Sequence, residues 1–512
     1  MSSTTSSQPY THEDLSRWLA CSRRFWLQRH VEPSSEALLM QGAASGKGLD
    51  ASPAAQDQAL RATFPQAIVI DTPQSETDWL QAIARTHAVL AEGWLAGVRE
   101  DEGRAILGAC LESNEGVRVR VDVLAAGPYG LRLFKVRYAT VGDERDVDMV
   151  ALWTHVAARN GLRVQSAGLM LVDTDFVYPG LGCYAGLFRE VELMPVLGSR
   201  SVPDWLVAMR ACERDTEPAP PDEAPCHTPS PCAFVRHCGQ LEAGHGRKDP
   251  ADLDLVGREL AGELRELGHI SVRTVSLDEL PDERRRRAVR AVQQGRPIME
   301  PEVADLIATM AYPRYALRID TIGFALPSWP GTRPYQIMPF QWTCDVEQPD
   351  GRLSHHAFLA TQQGDPRRAF ALSLIEVLGT TGPIFAYNAG FERNRLRELA
   401  TAFDDLASAL EALQPRIVDL FQVARAHYYH PDMCGSWSFK SIVHALAPET
   451  RADQFDWQGI TEAQEAFALS LQGVLGQAQL DSLRQALLAY GQRQTTALRG
   501  FVRRFSEART KP

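Results

Sequence analysis

Gly116-Val-Arg-Val-Arg-Val-Asp122 and, a few residues on, Leu131-Arg-Leu-Phe-Lys135-Val-Arg137 carry the reading of the fold. Valine alternating with arginine sends one set of side chains to an apolar face and the other to a polar face, the period of a half-buried strand. The spacer Ala-Ala-Gly-Pro-Tyr-Gly reads as hairpin punctuation, so Val117 to Leu124 and Leu131 to Tyr138 are predicted as paired strands. A helical pattern over Asp146 to Asn160 and an apolar run from Val164 to Val172 follow. Strand, strand, helix and strand in succession place the chain in the α/β class.

Toward the N-terminus, Tyr10 to Arg29 reads as one amphipathic helix, with Leu15, Trp18, Leu19, Phe25 and Trp26 on its apolar face and Cys21 among them. Gln41 to Pro53 is loop-like, and Glu217 to Pro231 is rich in proline and acid, so a first domain spans residues 1–245. Residues 246–310 form a helical connector, with Leu253, Val256, Leu260, Leu264 and Leu267 near helical spacing and Gly268 as a stop. Its basic run, Arg284 to Arg287 with Arg290, fits either a solvated helix face or a phosphate contact. A last domain, residues 311–512, opens with strands over Ala316 to Ile322 and Gln336 to Cys344. It continues with a buried strand over Pro383 to Tyr387 and a helix from Phe391 to Ala400, and closes on a long helix from Leu480 to Phe505.

The 512 residues are 45% hydrophobic and 23% charged, which is material for two or more globular domains. The formal net charge of -11 argues against indiscriminate coating of nucleic acid, since phosphate binding works by lysine and arginine displacing counterions. A local basic groove remains compatible with it. No apolar window is long enough for a membrane span. The polar start Met1-Ser-Ser-Thr-Thr-Ser-Ser and nine cysteines in so long a chain point to a reducing, cytoplasmic home.

Cys21 stands alone near the start, and Cys226, Cys232 and Cys238 return together in a C-x5-C-x5-C group. One remote thiol and three clustered ones supply the four ligands of an iron–sulfur cluster. Zinc competes, because His227 and His237 adjoin the ligands and a tetrahedral site accepts thiolate with imidazole. Cys110, Cys183, Cys212, Cys344 and Cys434 read as small buried hydrophobes.

Cys21-Ser-Arg-Arg-Phe-Trp-Leu, the strand bearing Asp122, and Cys226 through Cys238 together resemble the RecB-like PD-(D/E)XK nucleases whose terminal cysteines hold a 4Fe–4S cluster. Tyr315 through Lys440, with Gly331-Thr-Arg-Pro-Tyr335, Tyr387-Asn-Ala-Gly-Phe-Glu392, Tyr429-His-Pro431 and Gly435-Ser-Trp-Ser438, resembles the bacterial domain of unknown function 2779 family, a domain similar to DnaQ-type exonucleases of the RNase H-like fold. The resemblance implies a PD-(D/E)XK module and a DnaQ-like module joined by the helical connector. It also favours iron–sulfur over zinc.

The acids that such nucleases use are incomplete. A PD-(D/E)XK site holds its cation with an Asp and a Glu, and a Lys two residues after the Glu helps position the attacking water. Here Asp122 matches the Asp, but Lys135 stands where the Glu belongs and Arg137 where the Lys belongs; Trp153 and His155 replace the supporting Gln and Tyr. Asp143, Glu144, Asp146 and Asp148 are better explained as acids at a helix N-terminus. The DnaQ-like pattern asks for Asp-x-Glu on the first strand, an acid at the start of a helix and an Asp on the last helix. The chain offers Arg318 and Asp320, Glu392, and Gln494.

The favoured expectation is therefore a catalytically degraded nuclease homologue that retains an iron–sulfur cluster and binds nucleic acid, single strands included, or a protein partner. A resident Mg or Mn pair is not expected. Asp122, Asp320 and Glu392 are the catalytic remnants, and Arg284, Arg287, His430 and Lys440 the candidate nucleic-acid contacts. His430 enters because Tyr428-Tyr429-His430 has the aromatic character of a single-strand stacking site. The alternatives are an active metal-dependent nuclease using Asp320, Glu392 and Asp419, and a scaffold that binds no nucleic acid. Three carboxylates within metal reach would favour the enzyme, and a basic groove without them would favour binding.

Overall fold

The computed structural model describes residues 9–31, 53–93, 103–219, 226, 232–234, 237–238, 252–360, 364–446, 460–471 and 473–508. The polar start, most of the Gln41 to Pro53 stretch, much of Glu217 to Pro231, and His227 lie outside them. The chain is mixed α/β and divides into two compact units: residues 1–245 with 324–336, and residues 246–323 with 337–512.

The first unit is built on a six-stranded sheet in chain order: β1 (Gln66–Val69), β2 (Arg104–Glu112), β3 (Arg118–Gly127), β4 (Gly130–Arg137), β5 (Val164–Val172) and β6 (Phe188–Glu192). β2, β3 and β4 are antiparallel neighbours, while β4 and β5 are parallel, with the helix Glu144–Arg159 between them in the chain. A parallel pair needs such a crossover because a tight turn cannot reverse the chain twice. Asp143 and Asp146 close a reciprocal capping box at the start of this helix. Val150, Leu152, Trp153 and Val156 then bury against Val119, Val121, Leu133 and Leu169. Those acids are accounted for as caps.

Where the sequence predicts one helix from Tyr10 to Arg29, the structure has two, His12–Ala20 and Ser22–His30. Cys21 is extended (φ −164°, ψ 109°) and serves both, ending the first helix and capping the second by accepting the Arg24 amide on Sγ at 3.4 Å. An apolar stripe alone does not reveal a break of this kind, because the residues on either side still face one core.

Residues 324–336, which carry Gly331-Thr-Arg-Pro-Tyr335, belong to this first unit. Gly331 and Thr332 exchange backbone hydrogen bonds with Tyr178, Tyr184 Oη donates to the Pro327 carbonyl at 3.1 Å, and Tyr335 Oη donates to the Tyr138 carbonyl.

The second unit holds a five-stranded sheet in the order β10 (Leu353–Leu359), β9 (Met338–Glu347), β8 (Arg314–Ile322), β11 (Ile384–Ala386), β12 (Ile417–Asp419). The first three are antiparallel; β11 runs parallel to β8 and to β12. Tyr315, Leu317 and Ile319 of β8 face one core with the helices Arg367–Leu378, Gly390–Ala402 and Asp404–Leu413. On the other face lies the thirty-residue helix Gln477–Ser506, whose Leu498, Phe501 and Phe505 join Ala316, Phe385 and Tyr387. The close approach is made at Gly491: a Cβ there would stand 2.4 Å from Gln341 Nε2 and 2.5 Å from Thr343 Cγ2, so only glycine lets the helix lie on β9.

Residues 252–308 pack within this second unit. The helices Arg258–Glu266 and Glu283–Gln294 bury Leu260, Leu264, Ala288 and Val289 in a core shared with Tyr429. A two-stranded ladder, β7 (Ile298–Met299) with β13 (Tyr428–Tyr429), adds to it.

Candidate functional site

Alternation along β8 puts Arg318 and Asp320 on the face that carries the long helix, opposite the face of Leu317 and Ile319. Their cross-strand partners are Thr343 and Gln341. Asp320 is 1% exposed, and Arg318 Nε lies 3.7 Å from its Oδ1, an ion pair longer than a hydrogen bond. Neither Asp320 oxygen has a hydrogen-bond donor among the described residues. Burial raises the Asp320 pKa and the Arg318 charge opposes the rise.

Glu392 lies in the first turn of the helix Gly390–Ala402 and is equally buried, its Oε2 also without a donor among the described residues. Burial pushes its carboxyl up to about 7; Arg318 pulls against that, while Asp419 and Asp320 add to it. One guanidinium therefore serves two carboxylates. The turn leading into this helix places Asn388 in the left-handed region (φ 64°), a conformation that asparagine tolerates better than most residues. Asp419 pins that turn, accepting the Asn388 amide at 3.1 Å and the Phe421 amide at 3.0 Å on the same oxygen, Oδ1. It thereby caps the helix Leu420–His427 and holds the entry to the helix of Glu392 together.

The sequence points to Gln494 on the last helix; Tyr490, four positions earlier on the same helix, feels the charges of Asp320 and Arg318. Tyr490 is buried, and its phenol is pushed up to about 12, mainly by burial, with Asp320 adding and Arg318 opposing. The i, i+4 spacing on one helix face was the available signal.

A divalent cation held between Asp320 and Glu392 would meet the Arg318 guanidinium, which already neutralises them. The donor set fits one positive side chain better than a metal pair. Among the described residues no group of three or more His, Cys, Asp or Glu side chains is arranged to hold a metal ion.

The corresponding place in the first unit is also filled from within. Lys135 Nζ stands 2.8 Å from Asp122 Oδ2, and the Val136 amide donates to the same oxygen at 2.9 Å. Arg137 turns instead to Asp146, at 3.2 Å. Trp153 lies under the Lys135 ammonium, 5.7 Å from ring centre to Nζ, and His155 pairs with Glu115 at 2.7 Å.

The four cysteines are brought into one neighbourhood. Cys226, Cys232 and Cys238 cluster with Phe234 and with Leu27, which lies on the helix that Cys21 caps, and the Cys232 amide donates to the Cys226 carbonyl at 2.8 Å. Burial raises the Cys238 thiol, Arg23 lowers it, and Cys232, Cys226 and Cys21 raise it further. His237 is held by Glu217 at 2.9 Å rather than by this group. Thiolates are soft-metal ligands by type, but as they stand the four are not placed as a metal-holding group.

The nucleic-acid candidates separate. Arg287 is buried, its guanidinium bound to Glu300 at 3.1 Å and to the Arg425 carbonyl at 3.2 Å. His430 caps a short turn, its Nδ1 accepting the Asp432 amide at 3.0 Å. Lys440 is exposed in the helix Phe439–Leu446. Arg284 alone of the four lines a cavity, of about 260 Å³, together with Arg258 and Arg425, which sequence reasoning passed over.

These observations define a mixed α/β protein with a buried guanidinium–carboxylate centre on its second sheet. Residues 315–438 match the family described as domain of unknown function DUF2779, a segment that holds Arg318, Asp320, Glu392 and Asp419 and stops short of the last helix. No curated protein and no solved structure gives a significant match.

Proposed function

We propose that the chain is a nuclease-family homologue, with RecB-like PD-(D/E)XK and DnaQ-like RNase H-fold modules, whose phosphodiester-cleaving centres have been replaced by internal ion pairs and which binds single-stranded nucleic acid without cutting it. The observation that carries this reading is the approach of Arg318 to Asp320 at 3.7 Å beside a second buried carboxylate, Glu392. In support, Asp320 lies on a strand and Glu392 in the first turn of a helix, kinds of position that the resemblance implies for such acids. Lys135 stands against Asp122 in the same relation in the first unit. A fixed positive charge in place of a metal turns each cleft from a cation trap into a surface that tolerates phosphate. The four cysteines would hold an iron–sulfur cluster, or zinc, as a cross-link between distant segments of the first unit, and no chemical step is assigned to it.

A second reading is favoured by one observation: the donor-less oxygens of Asp320 and Glu392 retain capacity for a cation. In that reading the site is an active exonuclease using Asp320, Glu392 and Asp419. The deciding experiment titrates manganese calorimetrically into wild type and into the Arg318→Asp, Gln494→Asp double variant while a labelled single strand is followed. Binding of the strand at its full length by wild type, with tight metal uptake and shortening only in the double variant, is expected. Tight uptake of metal and strand shortening by the wild type would sink the degraded-enzyme reading. Absence of strand binding would leave the folds as a protein-interaction scaffold.

A further inference from the structure

The helix Arg258–Glu266 begins at Gly257 with no side chain capping it. Ala261 is the first amide to find a backbone acceptor, the Gly257 carbonyl at 2.8 Å; among the described residues the amides of Arg258, Glu259 and Leu260 have none. These residues open directly into the cavity of about 260 Å³. Four arginines line the same space, Arg285 and three others, Arg258, Arg284 and Arg425. None of the three is hydrogen-bonded or ion-paired to a carboxylate among the described residues, whereas neighbouring Arg285 is committed to Glu263 and Asp282. Glu259 is the one acid among the described lining residues.

The remaining wall is aromatic. Phe421 carries the Arg425 guanidinium 5.3 Å from its ring centre, and half-buried Trp437 meets the Tyr429 ring edge-on at 5.9 Å. The geometry is held by backbone contacts. Gly257 (φ 96°) and Gly435 (φ 73°) touch so closely that a Cβ on Gly257 would lie 2.7 Å from the Gly435 Cα. Tyr429 Oη donates to the Leu255 carbonyl at 2.7 Å and accepts the Gly435 amide at 3.0 Å, tying the two glycine turns together.

We infer that this cavity binds the phosphomonoester of a nucleotide. The phosphate meets the uncapped helix start and the three arginines, and the base lies against the aromatic wall. Helix-start amides with a converging dipole bind anions, and arginine forks match phosphate oxygens. A volume of about 260 Å³ suits one nucleotide unit and not a polymer. The phosphomonoester is supplied either by a free nucleotide or by the 5′-phosphorylated end of a strand. This site lies apart in chemistry from the carboxylate centre and does not depend on the reading of that centre.

The test is calorimetric, on the full chain, with adenosine 5′-monophosphate, adenosine, inorganic phosphate, and a short oligothymidylate with 5′-phosphate or 5′-hydroxyl. Phosphorylated probes are expected to bind at least about tenfold more tightly than their dephosphorylated counterparts. Arg258→Gln with Arg425→Gln, and separately the variant Arg284→Gln, should each lose that preference, while Arg352→Gln, an exposed arginine outside the cavity, should keep it. Preference for the free nucleotide or for the strand end identifies the source. The inference is overturned if phosphorylated and dephosphorylated probes bind alike, if folded wild type binds none, if inorganic phosphate binds as tightly as the nucleotide, or if the arginine variants bind as wild type.

Discussion

Arg318 and Asp320 project from the same face of β8 with Nε and Oδ1 3.7 Å apart, in a pocket where Asp320 is almost wholly buried. A buried carboxylate without compensation is expensive, and removing its partner is costlier than the pair was stabilising. Arg318 supplies that compensation, and the second carboxylate, Glu392, borrows the same charge.

Glu392 makes this visible as a pH dependence. Burial holds its proton up to about 7, against an ordinary value of 4.5, so the folded state binds a proton that the unfolded chain has released. The stability this contributes is fully present below about pH 4.5 and is lost as pH rises through about 7. Relative to Glu392→Gln, wild type should lose about 3 kcal/mol between those limits, read by urea denaturation at intervals across the window. Parallel stability curves for the two proteins would show that the carboxyl is not buried as described.

Asp419 should behave as a cap and not as a ligand. Its Oδ1 accepts two amides, and asparagine keeps that oxygen. Asp419→Ala should cost about 1–2 kcal/mol, whereas Asp419→Asn should stay within about 0.5 kcal/mol of wild type. If Asp419→Asn left stability intact but abolished manganese binding by wild type, the acid would be a metal ligand after all.

The cysteine group predicts colour. Protein purified anaerobically should carry iron and sulfide and absorb in the visible, and Cys232→Ser should lose both together with stability of the first unit. Colourless wild type with stoichiometric zinc would keep the cross-link and reject the cluster; metal-free, fully stable wild type would reject both.

Much of the framework was legible because its signals are local. The alternation at Val119 and Val121 found β3, and the reading of Val164 to Val172 coincides with β5, since a strand's period depends only on near neighbours. Asp320 and Glu392 stand in short motifs, and Arg318 feels the charge of both. What stayed hidden depends on distant contacts. Arg287 reads as one of four consecutive arginines, yet Glu300 and the Arg425 carbonyl bury it; His430 reads as an aromatic-cluster ligand and caps its own turn. Cys21 breaks a helix whose apolar stripe runs on unbroken.

By itself, then, the sequence determined the class of the elements and the periods of the strands, because residue type and spacing are properties of the chain. Tertiary structure alone decided which arginines are committed and which face an open cavity, that Tyr490 comes within the field of the charged pair, and that Gly491 lets a helix settle on β9. The physical reason is that burial and pairing are set by whatever the fold brings alongside a residue. Asp320 and Tyr490 are 170 positions apart in the chain, and their encounter is written in no local pattern.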